Sequence, residues 1–165
     1  MERKVLRVLG CGSRSFNGED WVCNKQGIME KMSTYLDKHI YTDLLYYEYQ
    51  NYDIEFVEGL AKGADAYFRG FAERHNIECK HFPAQWDKFG KSAGYRRNAE
   101  MIEYIKEADS MYTIVLWDGV SRGTRHTIDL CIKNNIPVYV YLYNKREWIE
   151  DINDYSYVYT KRKNS

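Results

Sequence analysis

The chain lacks net charge. Its 24 basic and 24 acidic side chains cancel over 165 residues, which argues against a broad electrostatic footprint for nucleic acid. Paired cysteines are missing too. Cys11, Cys23, Cys79 and Cys131 form no C-x-x-C pair, and no secretory leader is read at the start. The expectation is free thiols in a reducing, cytoplasmic setting. The four histidines, His39, His75, His81 and His126, are scattered. No zinc spacing arises, so neither a metal nor a cofactor is expected. Long apolar runs are absent. The longest, "TIVLW" and "VYVYLY", are too short to span a bilayer, so no membrane partner is expected.

What is present is an ordinary globular composition, 44% hydrophobic and 29% charged. A chain this long buries about 70% of the surface its unfolded form exposes, enough for one self-sufficient domain. Tyrosine is abundant at 16, and Tyr41, Tyr46, Tyr47, Tyr49 and Tyr52 crowd one insert, 41–52. Periodicity reads it as a helical extension packed on the body. Aromatic density reads it as a self-association surface.

Apolar runs alternate with helical patterns along the chain. Val5–Leu9, "DIEFVEG", "IECKHFP", "MYTIVLW" and "IPVYVYLY" read as buried strands. Asn17 reads as the cap of a first helix through Val22, Met29, Met32, Leu36 and Ile40, ending near His39. "LAKGADAYFRGFAERH", "RRNAEMIEYIKEA" and "GTRHTIDLCIKNN" read as three more, and "AQWDKFGKSAGY" as a loop. Continuous apolar strands linked by helices predict an α/β fold: a single Rossmann-like, doubly wound domain with about five parallel strands and helices on both faces. The domain is expected over 1–143. The remainder, 144–165, reads as an extension with a short helix holding Trp148, Ile149 and Ile152, then a basic tail with Lys161 to Lys163.

In such a sheet the strand-to-helix loops share the carboxyl edge, where ligands bind. These loops hold Gly12, Ser13 and Arg14; Gly59, Gly63, Ala64 and Asp65; Trp86, Gly94, Arg97 and Asn98; and Asp118, Ser121, Gly123 and Thr124. Glycine permits close backbone approach. A helix N-terminus offers unpaired N–H donors and partial positive charge, which together suit a phosphate. Arginine adds a planar fork for its oxygens. Arg97 lies one turn before Met101, on the inward face, and needs a partner, a ligand or an escape to solvent.

The strings "GSRSF", "EGLAKGAD", "FPAQWDKFGKSAGYRRNAEM" and "DGVSRGTRHTIDL" occur in that order. The ordered set resembles the YspA-like branch of the SLOG superfamily, Rossmann-like domains that include the DNA-processing protein DprA and the LOG phosphoribohydrolases. It covers roughly Val5 to Leu142. The resemblance implies a nucleotide or nucleotide-derived ligand at the carboxyl edge. Leu60 stands where the branch often has glycine. LOG enzymes cleave the N-glycosidic bond of nucleoside monophosphates. Arg97 matches their catalytic arginine, and Gly123 and Thr124 match their G-T. Asn98 replaces their lysine, and Thr127 stands at their glutamate. A threonine cannot supply carboxylate chemistry, which leaves Asp118 or Asp129 as substitutes.

Three expectations follow. The preferred one is a binding module for an ADP-ribose-like molecule or nucleoside phosphate, acting as sensor, carrier or sequestering protein. The second is an N-glycosidic nucleotide hydrolase using Arg97 and Asp118. The third, a nucleic-acid partner by analogy with DprA, conflicts with the zero net charge.

Overall fold

The computed structural model describes residues 2–46 and 49–149. Strand β1 (Lys4–Gly12) runs through the middle of the molecule because its apolar side chains alternate. Leu6 and Val8 enter one core, while Leu9 and Cys11 enter those on the opposite face. The chain then forms a hairpin of β2 (Trp21–Cys23) and β3 (Met29–Lys31), helix α1 (Met32–His39) and one π-helical stretch, Ile40–Tyr46. Next come β4 (Tyr52–Glu58), α2 (Ala64–Arg74) and β5 (Glu78–His81). A short helix α3 (Trp86–Phe89) and a 3-10 turn (Gly90–Ser92) lead into α4 (Ala93–Lys106). The order closes with β6 (Ser110–Trp117), α5 (Arg122–Lys133), β7 (Val138–Leu142) and β8 (Glu147–Trp148).

The main sheet has the order β5-β4-β1-β6-β7-β8. Its first five strands are mutually parallel and β8 is antiparallel. Helices cover both faces. Met32 and Leu36 of α1, with Phe68 and Phe71 of α2, pack on Leu6, Val8, Phe56, Ile114 and Leu116. Across the sheet, Met101, Ile102 and Ile105 of α4 pack on Leu9 and Val57, and Ile128 of α5 packs on Val115, Trp117 and Val140. This is a Rossmann-like, doubly wound α/β fold. Successive strands run outward from β1 through β4 to β5, then resume at β6 on its other side. The loops after β1 and β6 therefore diverge and open a crevice between them.

Three elements differ from the sequence expectation. The expected first helix is half hairpin. Asn24 accepts the N–H groups of Gln26 and Ile28 through its side chain, Gly27 takes φ +77°, and the chain reverses there. Val22 is buried but Met29 is exposed, so their helix-like spacing was accidental. Asn17 accepts the Glu19 N–H in a local turn rather than capping a helix. The segment after Asn144 holds no short helix through Trp148 and Ile149. Tyr141 and Leu142 pair with Trp148 and Glu147, and the Ile149 N–H bonds to Val140 O at 2.9 Å, carrying the sheet past residue 143. Ile152 and the Lys161–Lys163 tail lie outside the described residues, as does Tyr47. Part of the expected loop at 84–95 is helical, and α4 starts at Ala93 rather than Arg96. In the tyrosine-rich insert, Tyr49 packs edge-on against Tyr52, while Tyr41 and Tyr46 remain exposed.

Gly10 sets how closely α2 approaches the sheet. A Cβ on Gly10 would lie 2.2 Å from the ring of Phe68, which is wholly buried and has no room to retreat. Gly10→Ala is expected to cost about 2–3 kcal/mol, the upper range for overpacking, in denaturant unfolding. Pairing it with Phe68→Leu recovers part of that loss. Strict additivity of the two changes would contradict the contact.

Candidate functional site

At the carboxyl ends of β1 and β6 the sheet opens into a cavity of about 540 Å³. Among the expected residues, Gly12, Ser13, Arg14, Asp65, Trp86, Gly94, Arg97, Asn98, Asp118, Ser121, Gly123 and Thr124 line it. A second lobe of about 430 Å³ shares Arg14, Ala61, Trp86 and Arg97 with the first and adds Gly59, Leu60 and Lys62. Gly63 and Ala64 line neither lobe.

Local backbone packing explains that placement. Ser13 is buried and joins its own loop to those after β4 and β6. Its N–H bonds to Leu116 O at 2.9 Å, its carbonyl accepts the Ala64 N–H at 3.1 Å, and its Oγ accepts the Asp118 N–H at 3.0 Å. Gly12, at φ +153°, touches the end of β6, where a Cβ would stand 2.0 Å from Leu116 O. Gly63, at φ +75°, lies under the first loop, where a Cβ would stand 2.4 Å from Arg14 O. Gly63 and Ala64 thus brace the first loop from below, and the Ala64 N–H is already committed to it.

The fourth loop delivers the N-terminus of α5 to the cavity. Asp118 Oδ1 accepts the N–H groups of Val120 and Ser121, both at 2.8 Å, and so shapes the turn into the helix. No side chain caps the first turn of α5. Thr124 turns its hydroxyl to Ser121 Oγ at 3.2 Å. A Cβ on Gly123 would meet nothing within 4 Å. The result is an open, uncapped helix start, where partial positive charge favours an anion.

Arg97 is half-buried beside it. Its Nη1 donates to Gly59 O at 2.7 Å and its Nε to Asn98 Oδ1 at 3.1 Å. Both partners are uncharged. Gly59 is glycine because a Cβ there would stand 2.3 Å from Arg97 Nη1. Asn98 is buried and bridges α4 to α5. Its Nδ2 donates to Gly123 O at 3.3 Å and to His126 Nδ1 at 3.2 Å. Asn98 therefore ties Arg97 to the helix start.

Burial shifts three groups around the cavity. It pushes the Asp65 carboxyl above its usual range, with the Ala61 N–H opposing. It pushes the Cys11 thiol well up, which leaves that lining cysteine a poor nucleophile. It holds the His126 imidazole down, with Asp129 opposing. Asp129 does not line the cavity; it is exposed and pairs with Arg125 at 3.8 Å.

The sequence reading missed Cys11, Ser15, Ala61, Lys91, Tyr95 and Met101 on the cavity wall. Lys91 could have been found from its place in the glycine-bearing loop. Met101 and Cys11 carry no signal that separates them from core. Thr127 also lines the cavity and donates its hydroxyl to Gly123 O at 3.4 Å. No family model, curated protein or solved structure matches this chain.

Two predictions test this geometry. Leu60 adopts φ +61°, left-handed backbone that suits glycine, and its side chain is exposed. Leu60→Gly is expected to raise stability by up to about 1 kcal/mol in urea unfolding; a loss would contradict the strain. The His126 bond from Asn98 requires an unprotonated Nδ1. Its folded pKa lies below the ordinary 6.5, so the bond's contribution is complete above pH 6.5 and is lost as pH falls through the lowered value. A proton NMR titration that places the His126 pKa above 6.5 would contradict the network.

Proposed function

We propose that this protein binds a phosphate-bearing nucleotide or nucleotide-derived ligand, of the nucleoside phosphate or ADP-ribose class, at the carboxyl edge of its sheet. It would act as a sensor, carrier or sequestering protein. The observation that carries this reading is the uncapped first turn of α5, open at Gly123, facing a cavity lined by Arg97, whose hydrogen-bond partners are uncharged. Helix N–H donors and a guanidinium that the neighbouring Asp65 only partly offsets ask for an anion in the same space. Across both lobes four cations, Arg14, Lys62, Lys91 and Arg97, face two carboxylates, Asp65 and Asp118. Trp86, half-exposed on the shared wall, offers a face on which a base stacks. The resemblance to the YspA-like branch of the SLOG superfamily supports the same ligand class.

The test is calorimetric titration with AMP and ADP-ribose. Arg97→Ala removes a charge-assisted hydrogen bond worth roughly 1.5–3 kcal/mol, so affinity is expected to fall about 10- to 150-fold. Gly123→Val blocks backbone approach and is expected to weaken binding with the fold retained by circular dichroism. Affinity unchanged in both variants would place the anion elsewhere.

One observation favours hydrolysis as a second reading. Asp65 is a buried carboxylate on the cavity wall whose pKa burial raises, the direction a proton-transferring carboxyl needs. It suits that role better than Asp118, which shapes its own loop. Chromatography of nucleoside monophosphates after incubation separates the two. Free base released at about 1 per second or faster, and lost in Asp65→Asn, would establish an enzyme. No release fits binding alone.

A further inference from the structure

We propose that Glu58, Cys79 and His81 form a binding site for a zinc-class divalent cation at the edge of the sheet. β5 is the edge strand, and Cys79 and His81 stand two residues apart on it, facing the same side. Glu58 ends the neighbouring strand β4 and is in register with His81. One donor atom from each of the three lies within 4.8 Å of the others. His81 Nδ1 stands 2.5 Å from Glu58 Oε1 and 4.0 Å from Cys79 Sγ.

The surroundings favour a cation over a plain hydrogen bond. Glu58 is fully buried, and its second oxygen is already committed. Oε2 accepts Arg69 Nη1 at 2.9 Å and the Leu60 N–H. That fixes the carboxylate with Oε1 turned to the cluster, as outer-shell partners do for metal ligands. His81 is exposed, so the cluster has a solvent side for entry and for a water as fourth ligand. Sulfur, imidazole and one carboxylate suit zinc. Magnesium and calcium prefer oxygen alone. Glu58 and His81 are within hydrogen-bond distance in the metal-free chain, and the cation takes the place of that contact. Arg69 does not block it, because its guanidinium holds Oε2 and leaves Oε1 facing the cluster.

The test uses the full chain and cobalt(II) as a coloured stand-in for zinc. One equivalent is expected to give a thiolate-to-cobalt charge-transfer band in the near ultraviolet, which zinc then displaces and magnesium does not. Cys79→Ser abolishes the band, and His81→Ala weakens binding by more than about tenfold, the least that losing even an outer partner costs. Cys23→Ser, which removes the exposed thiol, leaves the band intact. Zinc raises the melting temperature of the wild type but not of Cys79→Ser, a variant checked for folding by circular dichroism. No band at one equivalent, or a band that survives Cys79→Ser and disappears in Cys23→Ser, would overturn the site. Cys79→Ala repeats the measurement if the serine variant fails to fold.

Discussion

Ser13 sits where three loops converge, and three of its hydrogen bonds hold the crevice in shape. The N–H reaches the end of β6, the carbonyl reaches the start of α2, and the hydroxyl reaches Asp118. Ser13 itself is buried, so leaving one of its groups unsatisfied would cost about 1–3 kcal/mol. The reversal of strand order between β1 and β6 makes the gap, and Ser13 stops it from closing or spreading. Gly12 and Gly63 follow from that arrangement, since the backbones it brings together leave no room for a side chain.

The second constraint is electrostatic. A half-buried guanidinium costs free energy unless its donors are satisfied. Arg97 meets this with Gly59 O and Asn98 Oδ1, and the Asp65 carboxylate beside it partly offsets its charge. The guanidinium still lines the cavity, together with Arg14 and Lys91. Asn98 then passes the same geometry on to Gly123 O and His126. Arginine and helix start behave as one preorganised unit rather than two neighbouring features.

Four of the five parallel strands were legible as largely apolar runs between helical patterns, the mark of buried parallel strands, while β5 (Glu78–His81), a mostly exposed edge strand, was legible only from its place between two helical patterns. The hairpin was not, because Val22, Met29 and Met32 happen to fall at helical spacing while Asn24 and Gly27 reverse the chain. β8 was not, because two residues are too few for any period to show. For the site, the cluster of glycine and arginine on strand-end loops located the cavity wall. It did not say which glycines face it. Gly59 makes room for a guanidinium and Gly63 for a neighbouring loop, and those needs arise only in three dimensions. Likewise Glu58, Cys79 and His81 come from two strands, and no spacing in the chain joins the first to the other two.

The proposed function requires a phosphate at the start of α5. Mass spectrometry of the small molecules released when the purified protein is denatured examines this most directly. The predicted result is a phosphate-bearing nucleotide or a derivative of one from the wild type, and its loss from Gly123→Val. Release without any phosphorus-bearing species, or equal release from both proteins, would contradict it.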